Sequence, residues 1–111
     1  MTDLQWDRSF ALEQVGDDEE LLEELIDLFY DSSITDLEKI KTASRHADME
    51  SMGDAAHSIK GASASLGIEG IRVVSAALER AGRDSDREKA ESLLPHLEAL
   101  LAEFKTVNRK Q

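Results

Sequence analysis

Apolar residues recur at three- and four-residue spacing along nearly the whole chain, with no sustained period-two alternation. That is the pattern of amphipathic helices, so an all-α fold is expected. Asp7 is placed to cap a short helix ending near Val15, with Gly16 as its stop. Asp17 with Glu20 reads as the capping pair of a long second helix. Its stripe of Leu22, Leu25, Ile26, Phe29, Leu37 and Ile40 continues to about Ser44, and Ser32 and Ser33 interrupt it, a place for a bend. The segment from Arg45 to Asp48 is a turn, and Asp48 caps a third helix that runs to about Leu66 and closes at Gly67. A fourth spans roughly Glu69 to Ala81, with Val74, Ala77, Leu78 and Ala81 inward and Gly82 as its stop. Ser85 with Glu88 makes a capping box for a fifth, which carries Leu93, Leu94, Leu97, Leu100, Leu101 and Phe104. Pro95 falls inside it and should kink the helix near Glu91 to Leu94, or restart it.

One short helix and four longer ones, joined by short turns, predict an antiparallel four-helix bundle with a short additional N-terminal helix as a lid. Trp6 and Phe10 are expected to pack that lid over one end, and Met49 and Met52 to fill the core. Residues 1–111 read as a single domain, long enough to bury a core.

Composition narrows the function classes. Cysteine is absent, which excludes thiolate chemistry and a disulfide scaffold and is compatible with a cytoplasmic location. There is no apolar run of about 18 residues and no secretory pattern at the N-terminus, so membrane insertion is not expected. The net charge of −11 argues against nucleic-acid binding. Charge is uneven, however. Asp17 to Asp31 holds eight acids and no Lys or Arg, whereas Gly53 to Arg83 holds four basic residues against three acids. The second segment suits phosphate better than its surroundings do.

Within that segment, "AAHSIKGASASLG" carries a histidine, a lysine and Gly61 in five residues. Glycine inside a helix costs roughly 1 kcal/mol against alanine. If Ile59 marks the buried face, steps of about 100° put His57 about 160° away, pointing to solvent. Gly53 at i−4, Gly61 at i+4 and Ala64 at i+7 fall within roughly 40° of it. The imidazole thus stands on a strip almost free of side chains, with Lys60 beside it at i+3. Such a strip lets another protein's surface approach the ring. A neutral imidazole has one nitrogen lone pair that can attack phosphorus and hold a phosphoryl group, and a neighbouring lysine can neutralise its oxygens. Phosphoryl transfer needs positioning and charge stabilisation above all.

No glycine-rich phosphate loop is present, so autonomous kinase activity is not expected. His46, His57 and His96 lack metal-ligand spacing, so no metal site is predicted, and His46 and His96 read as ordinary surface residues.

"HSIKGASASLG" resembles the signature of histidine-containing phosphotransfer (HPt) domains, roughly H-x-[LI]-K-G-x-[SA]-x-x-[LIVF]-G. "HADMESMGDAAH" upstream, "LERAGR" downstream and "GDDEELLEELIDLF" extend the similarity over most of the chain. The resemblance implies a module of multistep His–Asp phosphorelays. In such a module His57 takes a phosphoryl group from a receiver-domain aspartate and passes it to another, Lys60 assists the phosphohistidine and Gly61 leaves room for the receiver. It implies response-regulator receiver domains and a hybrid histidine kinase as partners, no cofactor on this chain, and Mg2+ on the receiver. Glu79, 22 residues after His57, stands where some members place a polar residue, often Gln, that supports the imidazole. A carboxylate there could bond a ring nitrogen but would repel a phosphoryl group, and a plain solvated residue is the competing reading. Ile68, Ile71 and Leu12 are candidates for receiver docking and equally for the core. A monomer is expected.

Three other readings compete with this one. The dimerisation domain of a histidine kinase has an acid just after its histidine and Thr or Asn at the fourth position beyond, where this chain has Ser58 and Gly61. The phosphotransfer domain of a chemotaxis-type kinase shares the bundle and motif, but is charged from ATP. A non-catalytic helical adaptor would explain an acidic bundle but not the bare strip beside His57.

Overall fold

The computed structural model describes residues 3–109. Five helices follow one another: α1 (Arg8–Gln14), α2 (Glu19–Arg45), α3 (Met49–Ser65), α4 (Glu69–Arg83) and α5 (Arg87–Arg109). Among the described residues the only extended pairing is an isolated bridge between Trp6 and Ile68. α2 packs on α3 and α5, α4 packs on the same two, and α1 touches α2, so the four long helices close a ring of contacts. Their inward stripes meet in one core, where Leu22, Ile26, Ile40, Met52, Ile59, Leu78, Leu101 and Phe104 are almost wholly buried. Ala77, read as inward, is only half-buried.

Four helix ends share one geometry. A left-handed residue follows the helix, and the next residue's N–H reaches back to a carbonyl five positions earlier. Those bonds are Asp17 N–H to Leu12 O (2.9 Å), Asp48 N–H to Ala43 O (2.8 Å), Ile68 N–H to Ser63 O (3.0 Å) and Asp86 N–H to Ala81 O (2.8 Å). The left-handed residues are Gly16, Ala47, Gly67 and Ser85. This corrects two predicted caps. Asp17 is itself left-handed at φ 64°, so the N-cap of α2 is Asp18, which accepts the Leu21 N–H at 3.1 Å. Ser85 is likewise left-handed, and Asp86 accepts the Lys89 N–H at 3.1 Å in the cap position. Asp7 and Asp48 cap α1 and α3 as expected.

Gly82 does not stop α4, which continues to Arg83. A Cβ on Gly82 would lie 2.8 Å from the Met49 carbonyl and 2.9 Å from Gly53 Cα. Its glycine therefore serves a close crossing of α3 and α4, not a turn. α2 is unbroken at Ser32–Ser33, where Ser33 is buried. α5 likewise runs through Pro95 without restarting. Pro95 removes one N–H partner, that of the Glu91 carbonyl, and both residues are exposed, where water can serve that carbonyl.

The lid is half as predicted. Trp6 donates its indole N–H to the Leu66 carbonyl at 3.1 Å and meets the Phe104 ring edge-on at 4.8 Å. Phe10 instead lies along the outside against Gly67 and stays 39% exposed.

Candidate functional site

α3 and α4 carry the site. His57 and Lys60 are three apart on α3, and Glu79 and Arg83 four apart on α4, so each pair shares a helix face. The glycine-lined crossing brings the two faces into contact.

The His57 side chain is 61% exposed, as its helical phase predicts. Its Nδ1 lies 2.9 Å from Glu79 Oε2. Glu79 is only 16% exposed, and Lys60 Nζ sits 2.6 Å from its Oε1. Arg83 Nη2 reaches Glu79 Oε2 at 3.5 Å, while Arg83 Nη1 bonds Asp54 Oδ1 at 3.0 Å. The Lys60 hydrogen bond, helped by the one from His57, holds the Glu79 carboxyl below its ordinary range despite its burial. The Asp54 bond raises Arg83 further. Glu79 is therefore an ionised, acceptor-only group. The Nδ1 bond to it must be donated by the ring, and in the neutral imidazole the lone pair is then on the exposed Nε2.

Gly61 is open: a Cβ there would meet nothing within 4 Å. Ala64 is exposed as well. Gly53 is not part of that strip. It is buried, and a Cβ on it would lie 3.2 Å from Arg83 Nη1. The expectation that it serves partner access is thus corrected, because α4 covers this side of α3. Lys60 does not stand free beside the histidine but is tied to Glu79. Glu79 is no plain solvated residue, since it bonds both of them. Ile68 and Ile71 are fully buried core and cannot dock a partner, and Leu12 is half-buried. His46 ends α2, and His96 lies 3.4 Å from Asp3.

Arg83 and Asp54 were missed in the sequence. The available signal was Arg83 at i+4 from Glu79 on a predicted helix, although α4 was expected to end before it. Beside Gly61, an open groove of about 550 Å3 runs between α1, α2 and α3, lined by Phe10, Leu25, Leu28, Ala62 and Leu66 among others.

A helical body that offers a carboxylate-held imidazole to solvent has the form of a phosphoryl-carrying module. The chain matches the model of the Hpt domain over residues 24–107 and belongs to that family. Its function is accordingly that of a histidine phosphotransfer domain in phosphorelays, whose members work with receiver domains and histidine kinases. The crystal structure of histidine-containing phosphotransfer protein B (HptB) from Pseudomonas aeruginosa PAO1 has the same fold. It superposes with a TM-score of 0.88 at 22% identity, over 96% of this chain and 92% of that one. No curated protein matches the sequence. Among the described residues no helix is long and apolar enough to cross a membrane.

Proposed function

We propose that His57 is the phosphoryl carrier and that Nε2 is its reacting atom. The Nε2 lone pair attacks the phosphorus of a receiver's aspartyl phosphate. The P–O bond to that aspartate breaks, the carboxylate leaves with the bonding electrons, and an Nε2–P bond forms. Nδ1 keeps its proton throughout, and the Glu79 carboxylate balances the positive charge that the ring acquires. Lys60 Nζ has further N–H donors beyond the one given to Glu79, and these serve the phosphoryl oxygens. Reversal onto a second receiver aspartate completes the relay. The Mg2+ of the reaction belongs to the receiver, and this chain contributes no cofactor.

Gly61 and Ala64 leave the backbone beside the ring clear, so a receiver's aspartate can reach Nε2. α2–α5 are read as an antiparallel four-helix bundle with α1 as its lid, the whole acting as one monomeric cytoplasmic domain charged through a hybrid histidine kinase's receiver. The observation that carries this reading is His57 itself, 61% exposed with its other nitrogen held by Glu79.

The test is transfer from a 32P-labelled receiver to the wild-type chain, His57→Gln and His57→Ala. Wild type is expected to take up acid-labile, base-stable label and both variants none. Label on either variant would remove His57 from the role. Binding without label on the wild type would favour an adaptor.

A further inference from the structure

We propose that Asp54 is a positioning residue of the transfer reaction: by dividing the Arg83 guanidinium between itself and Glu79, it sets how far Lys60 can leave Glu79 for a phosphoryl group on His57. The inference rests on the reading of His57 as the carrier. It adds a residue that acts on His57 only through others and tunes how tightly the group is held.

Four charges alternate across the α3–α4 crossing: Asp54, Arg83, Glu79 and Lys60. Asp54 Oδ1 holds Arg83 Nη1 at 3.0 Å, Arg83 Nη2 lies 3.5 Å from Glu79 Oε2, and Glu79 Oε1 holds Lys60 Nζ at 2.6 Å. His57 Nδ1 joins this row at Glu79 Oε2, 2.9 Å away. Among the described residues no ion pair from α2 or α5 reaches these groups, so α3 and α4 supply the whole set. Asp54 and Lys60 stand three residues before and after His57 on one helix. The place of Arg83 is shaped for it. Gly53 is buried beneath the guanidinium, and a Cβ there would lie 3.2 Å from Nη1 and 3.5 Å from Cζ. Arg80, on the same helix, differs: it is 80% exposed and pairs with Asp84, an ordinary surface contact.

Lys60 cannot serve two anions at full strength. When the phosphoryl group moves to Nε2, the P–O bond breaks, the receiver carboxylate leaves with the electrons, and the Nε2–P bond adds one net negative charge beside Lys60. Each shift of Nζ toward the phosphoryl oxygens weakens its bond to Glu79. That carboxylate is only 16% exposed, so water replaces the lost cation poorly. Arg83 is the second cation there, and its 3.5 Å contact can still shorten to a hydrogen bond. Asp54 opposes the shortening. Its bond is the shorter of the two that Arg83 makes to acids, and it is the largest influence raising Arg83 above its ordinary value, ahead of Glu79. Asp54 thereby keeps Lys60 on Glu79 and the phosphoryl group loosely held, as suits a carrier that must pass its group on. A proton on the ring responds in the opposite sense. Arg83 drawn onto Glu79 weakens the acceptor that steadies the imidazolium, so the ring binds a proton less tightly while it binds the phosphoryl group more tightly.

The probe is a phosphorylated receiver domain that labels the wild-type chain, and the full chain is used throughout. Two quantities are read: the equilibrium distribution of 32P between receiver and chain, and, without receiver, the proton affinity of the His57 ring by NMR titration. Asp54→Asn keeps the shape and removes the charge. It is expected to shift the 32P equilibrium toward the chain about threefold and to weaken proton binding by a similar factor, the size suited to a half-exposed pair. Arg83→Gln is expected to move both quantities about threefold the other way, and Arg83→Lys, which keeps the charge, to restore them. In a Lys60→Ala background the effect of Asp54→Asn on the 32P equilibrium should fall below about 1.5-fold, because the group it releases is gone. The control Arg80→Gln should leave both quantities within about 1.5-fold of wild type. An unmoved or lowered 32P equilibrium in Asp54→Asn overturns the proposal, as does a proton affinity that moves in the same sense as the phosphoryl group. An undiminished effect in the Lys60→Ala background overturns it too, since Asp54 would then act without Lys60. A wild-type chain that no receiver labels overturns the carrier reading and this inference with it, whereas a labelled wild type with an inert Asp54→Asn overturns this inference alone.

Discussion

Gly53 and Gly61 stand one helical turn before and after the same histidine, yet they do opposite things. Gly53 is pressed against α4, under the Arg83 guanidinium and opposite Gly82, whereas Gly61 faces open space. On one side the missing side chain lets two helices close, and that closure delivers Glu79 to Nδ1. On the other it leaves the backbone open, which in the proposed function gives a receiver room to approach. A glycine in a helix does not reveal its purpose by its distance from a functional residue. What packs over it decides.

Substitutions separate the two. Gly82→Val should be the most damaging, losing about 3 kcal/mol in urea unfolding, because its methyl groups would meet backbone that cannot step aside. Lys60→Ala should fold normally and transfer about tenfold more slowly, equivalent to about 1.4 kcal/mol, in single-turnover kinetics. Unchanged rates would remove Lys60 from the chemistry. Gly61→Leu should do the reverse of Gly82→Val: stability rises by about 0.5–1 kcal/mol while half-saturation by the receiver climbs at least about tenfold. Normal docking by this variant would erase the distinction between the two glycines. Smallest is Ser85→Gly, expected to gain up to about 1 kcal/mol by relieving a left-handed serine.

The α3–α4 contact also has a pH signature. Glu79 has a lowered carboxyl in the folded state. Its contribution is therefore present above the unfolded carboxylate value and is lost as pH falls through the lower folded value. The stability difference between wild type and Glu79→Gln should hold at neutral pH and shrink in acid, below the ordinary value of 4.5. A difference that persists undiminished in acid would contradict an ionised Glu79 paired with Lys60.

Much of this was legible along the chain because it depends on one helix at a time. The outward direction of His57 follows from the phase of α3 alone, and the five helices follow from their stripes. The capping errors have a local cause. Gly was read as the stop signal, but Ala47 and Ser85 take the left-handed position without it, and Asp17 shares it with Gly16. What could not be read depends on two helices meeting. Burial of Gly53, the interior role of Gly82 and the reach of Arg83 all require the α3–α4 crossing. Glu79 was pointed to by the resemblance to the HPt family, but its dual bond to His57 and Lys60 appears only once those faces are joined.

The most direct test of the central claim is 31P and 15N NMR of the chain after charging by a phosphorylated receiver. The account predicts phosphorus coupled to Nε2 of His57, with Nδ1 still protonated toward Glu79. Phosphorus on Nδ1, or on another residue, would contradict it.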